Sequence, residues 1–262
     1  MAFSAGKVLA RSVTIFGRNI VSFTILAAII HSPLIAYAAV VGGDGLAPSS
    51  LATFFVVERA GRFILGAVMS GAVSFGVLHH LRGGRASSIA NVARGLARVD
   101  RLVGASLLIG ILVVLACVPG AVVIVLSIAI GRPTLVPALA VVTVVLAALV
   151  VASIFWVAAP AVAVEGIAVW AAPARSARLT KGRRAGVLAI AFVVAAVVSA
   201  ASWGAGQDVV QRAMSLRSSL VLYEGVAAFI GGFAAVTSAV CYHDLRVDKE
   251  GVGTEDVART FD

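Results

Sequence analysis

The residues of this chain best suited to chemistry are a few ionisable side chains inside long apolar runs. Glu58 and Arg62 lie one helical turn apart, Glu224 lies in a later run, and His31 lies in the first run beside Pro33. A charge at membrane depth is costly, so such side chains face a partner or water and often mark ion or substrate paths. Two interpretations follow: a structural ion pair at the outer interface, which is favoured if the second and sixth spans pack together, or an ion or substrate path.

A fifth candidate, Glu165, stands before Gly166 and could cap the next helix or pair with Arg175 or Arg178. We expect it to anchor the structure, because the sequence contains no HExxH, GxSxG or CxxC motif to supply partners for acid–base chemistry. The two cysteines, Cys117 and Cys241, lie in apolar runs, where thiols usually serve as small packing groups. The sequence therefore predicts a protein that is not an enzyme, with no catalytic, cofactor or metal site.

The basic residues are the next candidates, since the net charge is +9. Lys and Arg cluster beside the apolar runs, which is typical of segments that face anionic phospholipid headgroups and set topology, so we expect no nucleic-acid partner. The candidate headgroup-binding residues are Lys7, Arg11, Arg18, Arg94, Arg98, Arg101, Arg175, Arg178, Lys181, Arg183 and Arg184.

The composition requires lipid as the main solvent of the fold. Apolar residues make up 61% and charged residues 13% of the 262 residues, and the mean hydropathy is +1.06. Soluble domains average roughly 45–50% apolar and 25% charged residues. Alternating segments of about ten residues, the pattern of membrane barrels, are missing. The chain is therefore predicted to be an all-α integral membrane helical bundle.

Six apolar runs supply the predicted transmembrane helices. A span needs about 20 residues, and the runs cover 20–41, 51–80, 102–130, 135–164, 186–203 and 220–242. The basic segments 3–19, 81–101 and 171–184 predict two or three cytoplasmic interfacial amphipathic helices. The Ala-Tyr-Ala triplet at 36–38 resembles a signal-peptide cleavage site, but the apolar run continues to Val41, so we interpret it as a retained first span.

The distribution of positive charge predicts the orientation. The N-terminal segment, the segments 81–101 and 165–184, and the C-terminal tail together carry 16 of the 21 Lys and Arg residues. Because positive residues accumulate in cytoplasmic loops, we expect both termini in the cytoplasm of a bacterium, with the bundle in its inner membrane. Residues 1–246 then form a single bundle, and 247–262 form a cytoplasmic tail.

A weak internal repeat accompanies this layout. Ala-Arg pairs begin at Ala10, Ala93 and Ala174, at intervals of 83 and 81 residues. Each is followed by an outgoing and a returning span, which suggests three units over 3–80, 86–164 and 167–246. Alternating topology in an alanine-rich chain is the other explanation, and the sequence does not separate the two.

Three short stretches resemble a known bacterial family. They begin at Pro160 (PAVAVEG), at Ala174 (ARSARLTKG) and at Tyr242 (YHDLRVDKEG). They are similar to the membrane domain found N-terminal to some glycerophosphoryl diester phosphodiesterases and in free-standing membrane proteins of unknown function. The resemblance implies a multi-span bundle in the cytoplasmic membrane. It does not imply phosphodiesterase chemistry, because the catalytic domain of such fusions is a separate barrel for which this chain has no room.

The functional expectation is a non-enzymatic scaffold or accessory subunit that binds anionic lipid and other membrane subunits or itself. A transporter or lipid-translocating protein is the alternative, suggested by the repeat and by prolines inside three spans. A cavity lined by His31, Arg62 or Glu224 would favour transport, and solid packing would count against it. An intramembrane enzyme would need carboxylates and histidines that converge.

Overall fold

The computed structural model describes residues 3–41, 48–81, 93, 95–130, 135–205 and 214–251, and every regular element within these ranges is a helix. In chain order the helices are α1 (Ala5–Arg18), α2 (Ile20–Val41), α3 (Pro48–Leu81), α4 (Val99–Ala129), α5 (Leu135–Phe155), α6 (Ala158–Glu165), α7 (Ala171–Thr180), α8 (Arg184–Ala205) and α9 (Leu216–Glu250). The prediction of an all-α bundle is confirmed.

Six segments of the described chain are long and apolar enough to cross a membrane, as predicted. They are Ile20–Val41, Val56–Leu78, Val99–Ala129, Ala138–Glu165, Arg184–Ala201 and Leu216–Glu250. Helix is the structure that lipid favours, because each backbone N–H and C=O finds its partner within the segment. The chain thus has the helices of a multi-pass membrane protein.

Of the three predicted interfacial segments, two are described in full. The segment 3–19 forms α1, which buries Val8, Ile15 and Phe16 and exposes Lys7 and Arg18. The segment 171–184 forms α7 and a turn in which Gly182 has a φ of 80°. Most of the segment 81–101, including Arg94, lies outside the described residues.

The centre of the bundle is α9, which packs against α1, α2, α3 and α8. At this centre the ring of Phe16 stacks on Phe23, with centroids 5.8 Å apart, and meets Phe229 edge-on at 5.2 Å. The hairpin of α4 and α5 lies at the periphery. Within the apolar 18-residue stretch of each span, only 6% of the residues are buried in α4 and 11% in the span that includes α5, against 61% in α3. The threefold repeat stays a prediction.

The predicted fourth span is present, but a short turn divides it into two helices. It breaks at Trp156 and Val157, so α5 ends before and α6 begins after them. The cause is Pro160, which has no N–H to donate to the carbonyl oxygen of Trp156 four residues earlier. That oxygen instead accepts a 2.7 Å hydrogen bond from Ser238 Oγ of α9. The break is therefore held by packing against another helix.

Candidate functional site

The first candidate site is an ion-pair network that joins α3 to α9. Arg62 Nη2 lies 2.5 Å from Glu58 Oε1 and 3.0 Å from Glu224 Oε1. Both glutamates are fully buried, and the guanidinium of Arg62 stacks 4.9 Å from the ring centre of Tyr223. The ion pair predicted for packed helices is thus present.

The charges of this network balance when the neighbouring arginine is counted. Arg59 Nε lies 3.5 Å from Glu58 Oε2, although the Arg59 side chain is 72% exposed. Two guanidinium groups therefore face two carboxylates. Such a neutral cluster avoids the several kcal/mol that an uncompensated buried charge costs, and it ties α3 to α9 in one register.

A cavity of about 180 Å³ adjoins this network and is lined by His31, Arg62 and apolar residues of α3, α8 and α9. His31 Nδ1 lies 3.1 Å from the carbonyl oxygen of Ala27. Because a carbonyl only accepts, Nδ1 carries the hydrogen, and Nε2 of the neutral ring is an acceptor. Glu224 does not line the cavity. The structure thus brings two of the three expected residues to it, in a space that holds several water molecules at roughly 30 Å³ each.

The second candidate site is a network at the end of the bundle where α1, α7 and the last turns of α9 meet, here called the basic end. Glu165 accepts hydrogen bonds of 2.7 to 3.0 Å from Arg175 and one of 2.7 Å from the Tyr242 hydroxyl. Arg175 also donates to Glu250. Hydrogen bonding to Glu250 and Glu165 raises the pKa of the Arg175 guanidinium. Glu165 therefore anchors α7 and α9 to the end of α6.

Two further arginines of the basic end close the C-terminus of α6. Gly166 takes a left-handed conformation with a φ of 64°, which ends the helix and leaves its last carbonyls without helical partners. Arg98 donates to the carbonyl oxygen of Ala163, and Arg101 Nη1 donates to that of Gly166 at 2.7 Å. Positive charge is also favoured at this end of a helix by its dipole.

Two more of the candidate headgroup residues form ion pairs with α9. Arg11 Nη1 lies 2.6 Å from Asp244, and Arg183 Nε lies 3.0 Å from Asp248. Hydrogen bonding to Asp248 raises the pKa of Arg183. Asp248 also accepts a hydrogen bond from the backbone N–H of Phe3 at 3.1 Å, so the two ends of the described chain meet here.

The candidate headgroup-binding residues therefore fall into two groups. Arg11, Arg98, Arg101, Arg175 and Arg183 are bonded within the bundle. The others that the structure describes are exposed and form no ion pair with another described residue: Lys7, Arg18, Arg178, Lys181 and Arg184. These five are available to headgroups, and Arg94 lies outside the described residues.

Sequence reasoning missed the part that the last turns of α9 play. The predicted bundle ended at residue 246, whereas α9 continues to Glu250 and supplies Asp248 and Glu250 to the basic end. The signal was present in the chain, because Arg246 and Glu250 have the i,i+4 spacing of a helical ion pair. Their groups lie 3.1 Å apart.

The described residues contain no group of three or more His, Cys, Asp or Glu side chains that could hold a metal ion. Cys117 and Cys241 are free thiols. No protein-family model, curated protein or solved structure matches the chain. The resemblance to the membrane domain of phosphodiesterase fusions therefore stays a prediction.

Proposed function

We propose that this protein is a non-catalytic scaffold or accessory subunit of a bacterial inner membrane, with both termini in the cytoplasm. The observation that carries the proposal is the hairpin of α4 and α5. Within the apolar 18-residue stretch of each span, at most 11% of the hairpin residues are buried, whereas the other spans have between 22% and 61% of those residues buried. A hairpin that packs so little against its own bundle offers two full membrane crossings to a partner subunit or a second copy.

The composition of the hairpin supports docking. Its outer surface carries branched side chains such as Leu115, Val125 and Leu139, each more than half exposed. Small residues that allow close approach of helices, such as Gly110 and Ala116, lie between them. Helices in lipid associate through packing of this kind rather than through the hydrophobic effect.

A photo-crosslinking experiment tests the scaffold. A photoreactive amino acid is placed at Leu115 or Val125 in the hairpin, and at Val197, an exposed residue of α8, as the matched control. In native membranes we expect adducts of discrete mass from the hairpin positions and none from position 197. Equal labelling of lipid alone at all three positions would overturn the proposal.

The cavity beside Arg62 supports a second candidate, a transporter of small polar solutes or ions. His31 and Arg62 supply an acceptor and a donor inside the membrane-spanning part of the bundle, and intramembrane groups of this kind often serve transport. A tryptophan at Gly231, which lines the cavity, would then abolish transport. The same substitution at Gly225, where an added Cβ meets nothing within 4 Å, is the control. If G231W and G225W behave alike in uptake and stability, this candidate fails.

A further inference from the structure

An apolar groove of about 500 Å³ runs between α5 and α8. Every side chain that lines it is apolar, and Leu146 and Leu149 of α5 face Ala185, Ala189 and Phe192 of α8. These residues belong to candidate membrane spans, so the groove lies at the depth of the hydrocarbon.

One end of the groove meets exposed positive charge at the basic end. Ala185 lines the groove, and Arg184 directly before it is exposed, as is Lys181 on the other side of the turn. A Cβ added at Gly182 within that turn would lie 3.7 Å from Lys249 Nζ, so a third cation from α9 stands beside it. None of the three forms an ion pair with a carboxylate among the described residues.

We propose that this groove and these three cations form a binding site for one anionic phospholipid, with its phosphate at Lys181, Arg184 and Lys249 and one acyl chain between α5 and α8. The cations favour an anionic headgroup, because each Lys or Arg near a membrane surface attracts such lipids. The inference goes beyond the proposed scaffold function and rests on the membrane setting of that proposal.

The dimensions of the groove fit an acyl chain better than a helix. From Ala185 to Phe192 it extends about 10 Å along α8 at 1.5 Å per residue, about a third of a hydrocarbon core of roughly 30 Å. A helix from another subunit is about 10 Å across and seats on small residues. Here the bulky side chains of Leu146, Leu149 and Phe192 form much of the wall beside Ala185 and Ala189, which suits a narrow acyl chain better than a second helix.

Lipid retention tests the headgroup half of the site. The full chain is reconstituted with equal parts of phosphatidylglycerol and phosphatidylcholine, extracted in mild detergent, and weighed with its bound lipid by native mass spectrometry. We expect one phosphatidylglycerol per chain, and retention about 25-fold weaker in K181Q/R184Q, since each cation contributes a factor of about five. R18Q is the control, because Arg18 is exposed and lies about 20 Å along α1 from Ala5, which is near the groove end.

Tryptophan substitutions that fill the groove test the part of the site that is proposed to hold the acyl chain. A189W places a ring between α5 and α8, whereas A196W places it on an exposed part of α8 outside the groove. We expect A189W to lose the retained lipid and A196W to keep it. Three outcomes would overturn the proposed lipid site. A189W and A196W could retain lipid equally, or R18Q could weaken retention as much as K181Q/R184Q does. The third is that A189W loses a dimer rather than a lipid. The crosslinking experiment on α4 and α5 does not depend on lipid retention. The scaffold proposal and the lipid-site proposal can therefore each be contradicted without the other.

Discussion

Arg62 is the side chain on which the contact between α3 and α9 most depends. One of its nitrogens reaches both Glu58 and Glu224, and these carboxylates have no access to solvent. Breaking a buried pair costs far more than the pair itself contributes, because the remaining charge stays buried without compensation. Arg59 contacts the same glutamate from an exposed position, and an exposed ion pair contributes little.

We therefore expect R62Q to destabilise the protein by about 3–5 kcal/mol and R59Q by less than about 1 kcal/mol. Thermal unfolding in detergent measures both. Replacing the two carboxylates in R62Q, to give E58Q/R62Q/E224Q, should recover much of the loss, because no buried charge then lacks a partner. Equal unfolding temperatures for R62Q and R59Q would contradict this account.

Among the helices, the break between α5 and α6 is the clearest departure from ideal helical structure. Pro160 removes one backbone donor, and hydroxyl groups of other helices satisfy the carbonyls that are left. Ser238 of α9 bonds the oxygen of Trp156, and Ser176 of α7 bonds the oxygen of Ile154 at 2.8 Å. The position of the break thus fixes how α7 and α9 meet this span.

Removing these hydroxyls should lower the stability of the protein, because they hold α7 and α9 against the break. We expect S238A to cost about 1 kcal/mol or somewhat more, since it leaves the carbonyl of Trp156 unsatisfied. S176A should cost less, because Thr180 Oγ1 still lies 3.3 Å from the carbonyl oxygen of Ile154. S32A is the matched control, because Ser32 is exposed and bonds a carbonyl of its own helix. The unfolding temperatures of the three variants check the prediction, and a control that loses as much as S238A would refute it.

For the whole molecule, the decisive contact is the one between the two ends of the described chain, at Phe3 and Asp248. The N–H of Phe3 and the guanidinium of Arg183 bind the same carboxylate, that of Asp248. An even number of crossings is required to return the chain to the side on which it began, and six candidate spans satisfy that requirement. The start of α9 belongs to the opposite end.

Cysteine labelling in sealed vesicles measures this arrangement. In a C117A/C241A background we expect S4C and K249C to react with an impermeant thiol reagent from one side of the membrane and R217C from the other. All three positions are exposed. Labelling of positions 4 and 249 from opposite sides would show that one of the six segments does not cross.

Much of the architecture follows from local pattern. The apolar runs and the amphipathic spacing of α1 suffice to place the helices, because in lipid a long apolar segment has essentially one way to satisfy its backbone. The positions of Glu58, Arg62 and Glu224 near the outer ends of two spans also predicted an ion pair. The extension of α9 to Glu250 was missed, because a polar helical end held by Arg175 and Arg183 resembles a free tail until those partners are known.

The sequence by itself determined that this protein is a six-span helical bundle with basic residues beside its spans, since hydrophobicity and period are local properties of the chain. The tertiary structure alone decided which cations bind within the bundle and which remain exposed, and it alone placed Arg184 at the mouth of a groove. The physical reason is that an arginine's partner lies up to 233 residues away, as Asp244 does from Arg11, and only packing brings such residues together.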